Sequence, residues 1–195
     1  LLNTKYIVSP QPVDAPGLSG PVSANRLHIY QNPKALPWFY LASDYVVEND
    51  GGAIFDLLLN PEFDPSATPI VESELPDLIG NPANTLESKI VQKEYDSRRG
   101  YVELEVSAGS PKLLVISENF HPFWSAAIDG NPASLFRANY VWKGLVVPAG
   151  KSTVQLTYRD PIAVACRWIS LLSSVFLIGS IFWLHNRART EVSHA

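Results

Sequence analysis

The chain of 195 residues contains no methionine, one cysteine and four histidines, and only 17% of its residues are charged. Each scarcity excludes something. Cys166 has no partner for an internal disulfide, and its place inside an apolar run removes any information on redox compartment. His28, His121, His185 and His194 are scattered, none at zinc-like spacing from another ligand. Fifteen basic and nineteen acidic residues give a net charge of −4, with no basic stripe in the globular part, which argues against a nucleic-acid partner. With no methionine, and with a start of Leu1-Leu2-Asn3-Thr4-Lys5 that lacks a basic-then-apolar targeting segment, residue 1 is expected to be a cut point in a longer protein, the alternative being a mature start left by removal of a leader.

What the chain has in plenty is apolar residues, 46% of the total, crowded toward the C-terminus. From Ile162 to Leu184 the run IAVACRWISLLSSVFLIGSIFWL carries one charge, Arg167. As a helix at about 1.5 Å per residue it would span roughly 34 Å, enough for a bilayer core with some tilt. Arg167 lies near one end, where its guanidinium can snorkel to the headgroups, and Trp168 and Trp183 lie near the two interfaces. A short tail with His185, Arg187 and Arg189 follows. Short basic flanks stay in the cytoplasm, so residues 1–160 are expected outside and the tail inside. A buried core helix of a soluble protein is the competing reading, but such helices are usually shorter and lack the paired tryptophans and basic tail.

The remainder reads as mainly β: an antiparallel β-sandwich with a small α/β N-terminal portion, followed by the one transmembrane helix. The expected division is a small α/β portion over 1–73, a linker over 74–85, the sandwich over 86–160, the helix over 161–184 and the tail over 185–195. Within the first portion, strands are expected over residues 1–9, 26–30, 38–47 and 69–72. The proline- and glycine-rich stretch 10–23 should exclude regular structure. Asn49 or Asp50 can cap a short helix over residues 53–59 that Pro61 stops. In the sandwich, Val102, Leu104 and Val106 alternate with polar neighbours, Leu113–Ile116 is continuously apolar and should sit mid-sheet, and Asp129-Gly130 marks a hairpin. Strands over 140–147 and 153–158 complete it. Trp124 is expected in the core with Val115, Ile128 and Leu156.

Few constellations survive as chemistry. Pro148-Ala149-Gly150-Lys151-Ser152-Thr153 is superficially like the end of a phosphate-binding loop, but Leu145 stands where that motif needs glycine and strands flank it on both sides. Glu48-Asn49-Asp50-Gly51 lacks the calcium-loop pattern and suits a helix cap. Asp129, Glu118 and His121 are the only titratable candidates near one another, and each has an ordinary turn or strand-end explanation. No catalytic, cofactor-binding or metal-binding residue is assigned. The aromatic runs Trp38-Phe39-Tyr40 and Phe120-His121-Pro122-Phe123-Trp124 cannot place every ring on one strand face, so some pack on a neighbour, lie at the membrane interface or stay free to stack on sugar.

These residues carry a resemblance. The run from Ser117 to Gly130, with Phe120-His121-Pro122-Phe123-Trp124 and Ile128-Asp129-Gly130, is similar to the "YYPGW…VDG" signature of YfhO-type bacterial membrane proteins. Val146-Val147-Pro148-Ala149-Gly150-Lys151-Ser152-Thr153-Val154 with Tyr158-Arg159 resembles their "VPAGKHTVEFRY". Leu2-Asn3-Thr4-Lys5-Tyr6-Ile7 is similar to "LNVKYII", and Ile29-Tyr30-Gln31-Asn32-Pro33 with Leu36-Pro37 to "VYENP…LPRA". Asn60 to Asp64 fits the family's short helix followed by "FDP". Phe123 replaces the glycine before Trp, Ser152 the usual histidine, and Trp38-Phe39 the usual Arg-Ala. The resemblance implies a multi-spanning GT-C-type glycosyltransferase of the bacterial inner membrane, using a polyprenyl-phosphate-linked sugar for cell-envelope glycosylation. Its acidic catalytic residues would lie in an early extracytoplasmic loop outside this chain. The chain would then be a non-catalytic C-terminal module whose partners are the bilayer, the missing transmembrane domain and a glycan or lipid-linked sugar. The alternative is a single-pass anchored sandwich that binds or supports without enzymatic activity.

Overall fold

The computed structural model describes residues 3–14, 17–24, 26–78 and 87–192. Its strands fall into three sheets. β1 (Tyr6–Ser9), β2 (Ser19–Ala24) and β3 (Leu27–Gln31) form a small antiparallel sheet with β3 in the middle. β2 corrects the expectation that 10–23 holds no regular structure. It is an edge strand, and its register slips between Ser19 and Val22, so Pro21, with no N–H to give, falls in the irregular stretch.

The next stretch supplies β4 (Phe39–Ala42), β5 (Val46–Val47), α1 (Gly51–Leu59) and β6 (Ile70–Val71). The strand expected over 38–47 is broken at Ser43-Asp44, where Asp44 Oδ1 accepts the N–H of Tyr45 at 2.8 Å. α1 begins two residues before the expected Ala53, directly after one of the two expected cap residues. Asp50 is the cap, its Oδ1 accepting from the N–H of Ala53 at 2.8 Å, and Asn60 ends the helix ahead of Pro61.

Eight further strands follow: β7 (Lys89–Asp96), β8 (Tyr101–Ala108), β9 (Lys112–Asn119), β10 (Trp124–Ile128), β11 (Asn131–Ala133), β12 (Phe136–Ala138), β13 (Trp142–Val147) and β14 (Gly150–Tyr158). They build a five-stranded sheet in the order β11-β10-β14-β8-β7 and a six-stranded sheet in the order β4-β9-β13-β12-β6-β5. The fold is therefore mainly β, with antiparallel sheets throughout except the parallel pair β5–β6.

Alternation decides the packing. Val102, Leu104 and Val106 of β8 and Val154 and Leu156 of β14 meet Leu114 and Ile116 of β9 and Leu145 and Val147 of β13, forming the core between the two larger sheets. The continuous apolar run of β9 has a second cause. Leu113 and Val115 point to the other face of the six-stranded sheet, where Tyr40, Val71, Leu75, Leu78 and Trp142 cover them. A strand buried on both faces needs apolar residues at every position.

Strands from both sides of the expected 74–85 linker thus share one sheet, so the small portion and the sandwich form one body. Leu75 and Leu78, at the start of that stretch, are buried, and residues 79–85 lie outside the described residues. By compactness the chain divides instead into residues 1–158 and 159–195. The second unit is α2 (Pro161–Val192), which continues past Leu184 into the basic segment. Its portion Pro161–Trp183 is long and apolar enough to cross a membrane. Its apolar side chains are exposed, Leu172 at 66% and Phe176 at 77%.

Candidate functional site

β9, β10, β13 and β14 carry chemistry-bearing side chains to one end of the sandwich. Residues 116, 118 on β9 and 143, 145, 147 on β13 share the inward-facing parity, so Glu118 and Lys143 enter the space between the sheets where Ile116 and Leu145 lie deeper. Lys143 is fully buried. Its Nζ sits 2.5 Å from Glu118 Oε2 and 3.4 Å from the centroid of the Trp124 ring, which belongs to the opposing sheet. One cation thus ties both sheets together through an ion pair and a cation–π contact. Burial pushes the Lys143 ammonium below its usual range, and the Glu118 carboxylate partly offsets that.

Outside this plug lies an open cleft of about 450 Å³, lined by Tyr95, Tyr101, Glu118, His121, Trp124 and Tyr158 together with the Asp96–Gly100 turn. The rings touch one another: Trp124 and Tyr158 have centroids 5.4 Å apart, His121 and Tyr158 5.7 Å, and Tyr95 meets Trp38 edge-on at 4.7 Å. The turn into β10 is closed by the Trp124 N–H donating to His121 O at 3.0 Å. Gly100 is required by geometry. It has φ +61°, and a Cβ there would lie 2.7 Å from that of Tyr158, whose N–H donates to Gly100 O at 2.8 Å.

Both carboxylates of the cleft hold a cation. Asp96 Oδ1 accepts from the N–H groups of Arg98 and Arg99 at 2.9 and 3.1 Å, and its Oδ2 meets Arg99 Nε at 3.2 Å. Glu118 Oε2 holds Lys143, while Oε1 has no protein partner among the described residues. On the outer face nearby, the Tyr101 hydroxyl donates to Glu103 Oε2 at 2.5 Å, which pushes the phenol up to about 12 and holds the carboxyl down.

The sequence candidates divide accordingly. Glu118 and His121 meet in the cleft. Asp129 does not; it sits at the far end of β10 with φ +50°, its Oδ1 accepting from the Thr153 N–H at 2.7 Å, and with Gly130 at φ +80° it forms the expected hairpin turn. His28 bonds Ser23 on the small sheet at 3.2 Å. Glu48 Oε1 accepts from Asn49 and Asp50 N–H groups, both at 2.9 Å, a helix entry as expected. Pro148-Ala149-Gly150 corrects the expectation of a hairpin: it carries the chain from β13 in the six-stranded sheet across to β14 in the five-stranded sheet, with Gly150 at φ +108°. His194 lies outside the described residues.

Trp124 requires a correction. It is half-buried and, like Ile128, packs against the core that contains Leu156, but Val115 faces the opposite side of β9 and is not its neighbour. Sequence reasoning missed Lys143, Tyr95, Tyr101 and Tyr158. A signal existed for Lys143: it is the only charge between Ala138 and Gly150 and shares parity with Leu145 and Val147.

A second concavity, about 310 Å³ and nearly all apolar, is lined by Phe55, Leu58 and Leu59 of α1 with Tyr140, Val141 and Trp142. Among the described residues no three His, Cys, Asp or Glu side chains converge as a metal-holding group. Comparison with family models, curated proteins and solved structures gave no match to this chain.

Proposed function

We propose that residues 1–160 are the extracytoplasmic, non-catalytic C-terminal module of a YfhO-type, GT-C-like membrane glycosyltransferase, anchored by α2 in the bacterial inner membrane with its tail in the cytoplasm. The observation that carries the membrane part is the run Pro161–Trp183, which follows β14 after only Arg159 and Asp160. The non-catalytic part is supported by the state of the carboxylates. A general acid or base must be free to reach the reacting proton; Asp96 and Asp129 already hold a cation or backbone donors, which leaves Glu118 Oε1 as a single open carboxylate oxygen in the cleft, with no second open carboxylate beside it among the described residues. The transferase assignment of the parent protein is supported by the ordered set of resembling motifs alone.

Three experiments test the parts separately. In a Cys166→Ala background, Ser97→Cys should react with an impermeant maleimide on intact cells; labelling only after permeabilisation refutes the orientation. The coding sequence upstream of Leu1 should add about ten hydrophobic spans with an acidic residue after the first. A signal peptide directly upstream would instead establish the single-pass binding protein. In the full transferase, Asp129→Asn should leave turnover per folded molecule near wild type, because asparagine keeps the left-handed turn and the bond to Thr153. A fall of roughly a hundredfold with folding intact, the size expected for a lost acid–base group, overturns the non-catalytic reading.

A further inference from the structure

We infer that the cleft at the Trp124 end of the sandwich is a binding site for a neutral carbohydrate, with aromatic rings as platforms and Glu118 Oε1 as the reader of a ligand hydroxyl. The inference stands on the cleft itself and holds whether the parent protein is a transferase or a single-pass protein.

The charge balance selects the ligand class. Aromatic rings beside carboxylates would ordinarily suit an alkylammonium ligand. Here that position is filled from within: the Lys143 ammonium sits between the Trp124 ring and Glu118. A second cation would meet the first at close range. An anion would have to approach Glu118 and Asp96, and Arg99 is already engaged by the latter. With each carboxylate matched by its own cation, the cleft offers a ligand exposed ring surface and one spare acceptor, and little net charge. Pyranose rings match that offer. Their C–H faces lie on aromatic rings, and their hydroxyls donate to a fixed carboxylate oxygen, a charge-assisted bond of the stronger kind.

The rings are accessible. Tyr95 is 41% exposed, and His121 is exposed and set against Tyr158. The cleft volume of about 450 Å³ is of the size that holds a small ligand rather than a water or two. Lys143 is a positioning residue in this arrangement. By holding Oε2 it fixes the carboxylate plane and leaves Oε1 for the ligand, the role a buried neighbour plays in keeping a binding group on target.

The test uses the full chain in a phosphocholine detergent, because maltoside and glucoside detergents are themselves neutral pyranosides. Calorimetric titration is run with neutral trisaccharides of glucose, galactose, mannose and N-acetylglucosamine, with the cationic glucosamine trimer and with the anionic galacturonate trimer. At least one neutral trimer should bind saturably, tenfold or more tighter than either charged trimer, and its affinity should change less than twofold between low and high salt. His121→Ala and Tyr95→Ala, both surface changes that leave the core intact, should each weaken it about fivefold or more. Phe55→Ala, in the separate apolar concavity, should change nothing. Binding by none of the four neutral trimers, a preference for a charged trimer, or wild-type affinity in both cleft variants overturns the inference.

Discussion

The pair Lys143–Glu118 makes a prediction about asymmetry. Lys143 has no exposed side-chain surface, whereas the Glu118 side chain is 31% exposed. Removing either partner breaks the same 2.5 Å contact, yet the residues left behind differ. Glu118→Ala strands a buried ammonium with only the Trp124 ring for company, and uncompensated buried charges of this kind cost about 3–5 kcal/mol. Lys143→Met leaves a carboxylate that water can reach and fills the vacated volume with an unbranched apolar chain. Exchanging a buried ion for packed apolar atoms is often neutral, so a cost below about 1 kcal/mol is expected. In a unit of this size the first change should lower Tm by about 6–20 °C and the second by no more than about 4 °C.

The pH dependence separates this reasoning from simple loss of contacts. Lys143 is held below its ordinary value of 10.5 in the fold, chiefly by burial, with Glu118 pulling the other way. Between the lowered folded value and 10.5 the unfolded chain binds more protons than the folded one, so stability rises with pH across that window. Glu118→Ala removes the opposing influence and widens the window downward. Urea unfolding of the full chain in detergent micelles, followed by tryptophan fluorescence from pH 6 to 10, should therefore show a steeper rise for Glu118→Ala than for wild type, and no such rise for Lys143→Met with or without Glu118. Equal losses from the two single changes, or a flat profile for Glu118→Ala, would refute the argument.

Three further outcomes follow from local geometry. Gly100→Ala forces a side chain into a left-handed position against Tyr158, and should cost about 1–3 kcal/mol by urea midpoint while collapsing the cleft wall. Asn139, buried at φ +45°, accepts from the Ile70 N–H and donates to the Tyr40 hydroxyl, both at 2.8 Å. Asn139→Ala should cost about 2–4 kcal/mol, and Asn139→Gly should recover only the backbone part of that loss; equal losses would show that strain plays no part. Asp50→Ala removes the cap of α1 and should cost about 0.5–2 kcal/mol, seen as faster hydrogen exchange at the Ala53 amide.

Local rules made some of this visible in advance and could not reach the rest. The alternation of β8, the apolar run of β9, the Asp50 cap and the Asp129-Gly130 turn are all short-range signals, and each is present. The partnership between residues 39–71 and residues 112–147 is not short-range. Pairings such as Tyr40 with Val115 and Val71 with Ala138 leave no mark on either segment alone, so a breaker-rich stretch between them looks like a boundary. The cleft was hidden for the same reason. Tyr95, Tyr101, Glu118, Trp124 and Tyr158 come from five strands, and only the sheet order gathers them.

That long-range pairing also bears on how the protein can be cut. β4, only four residues long, is the strand that closes the free side of β9. A fragment begun after residue 74 would keep β7 through β14 yet leave Leu113 to Ile116 as an unpaired edge, apolar on both faces, once the cover from Tyr40 and Val71 is gone. Such an edge recruits further strands from other copies. Preparations of the expected 86–160 sandwich alone should therefore come out as insoluble aggregate, and the same strands should stay monodisperse once residues 36–78 are restored.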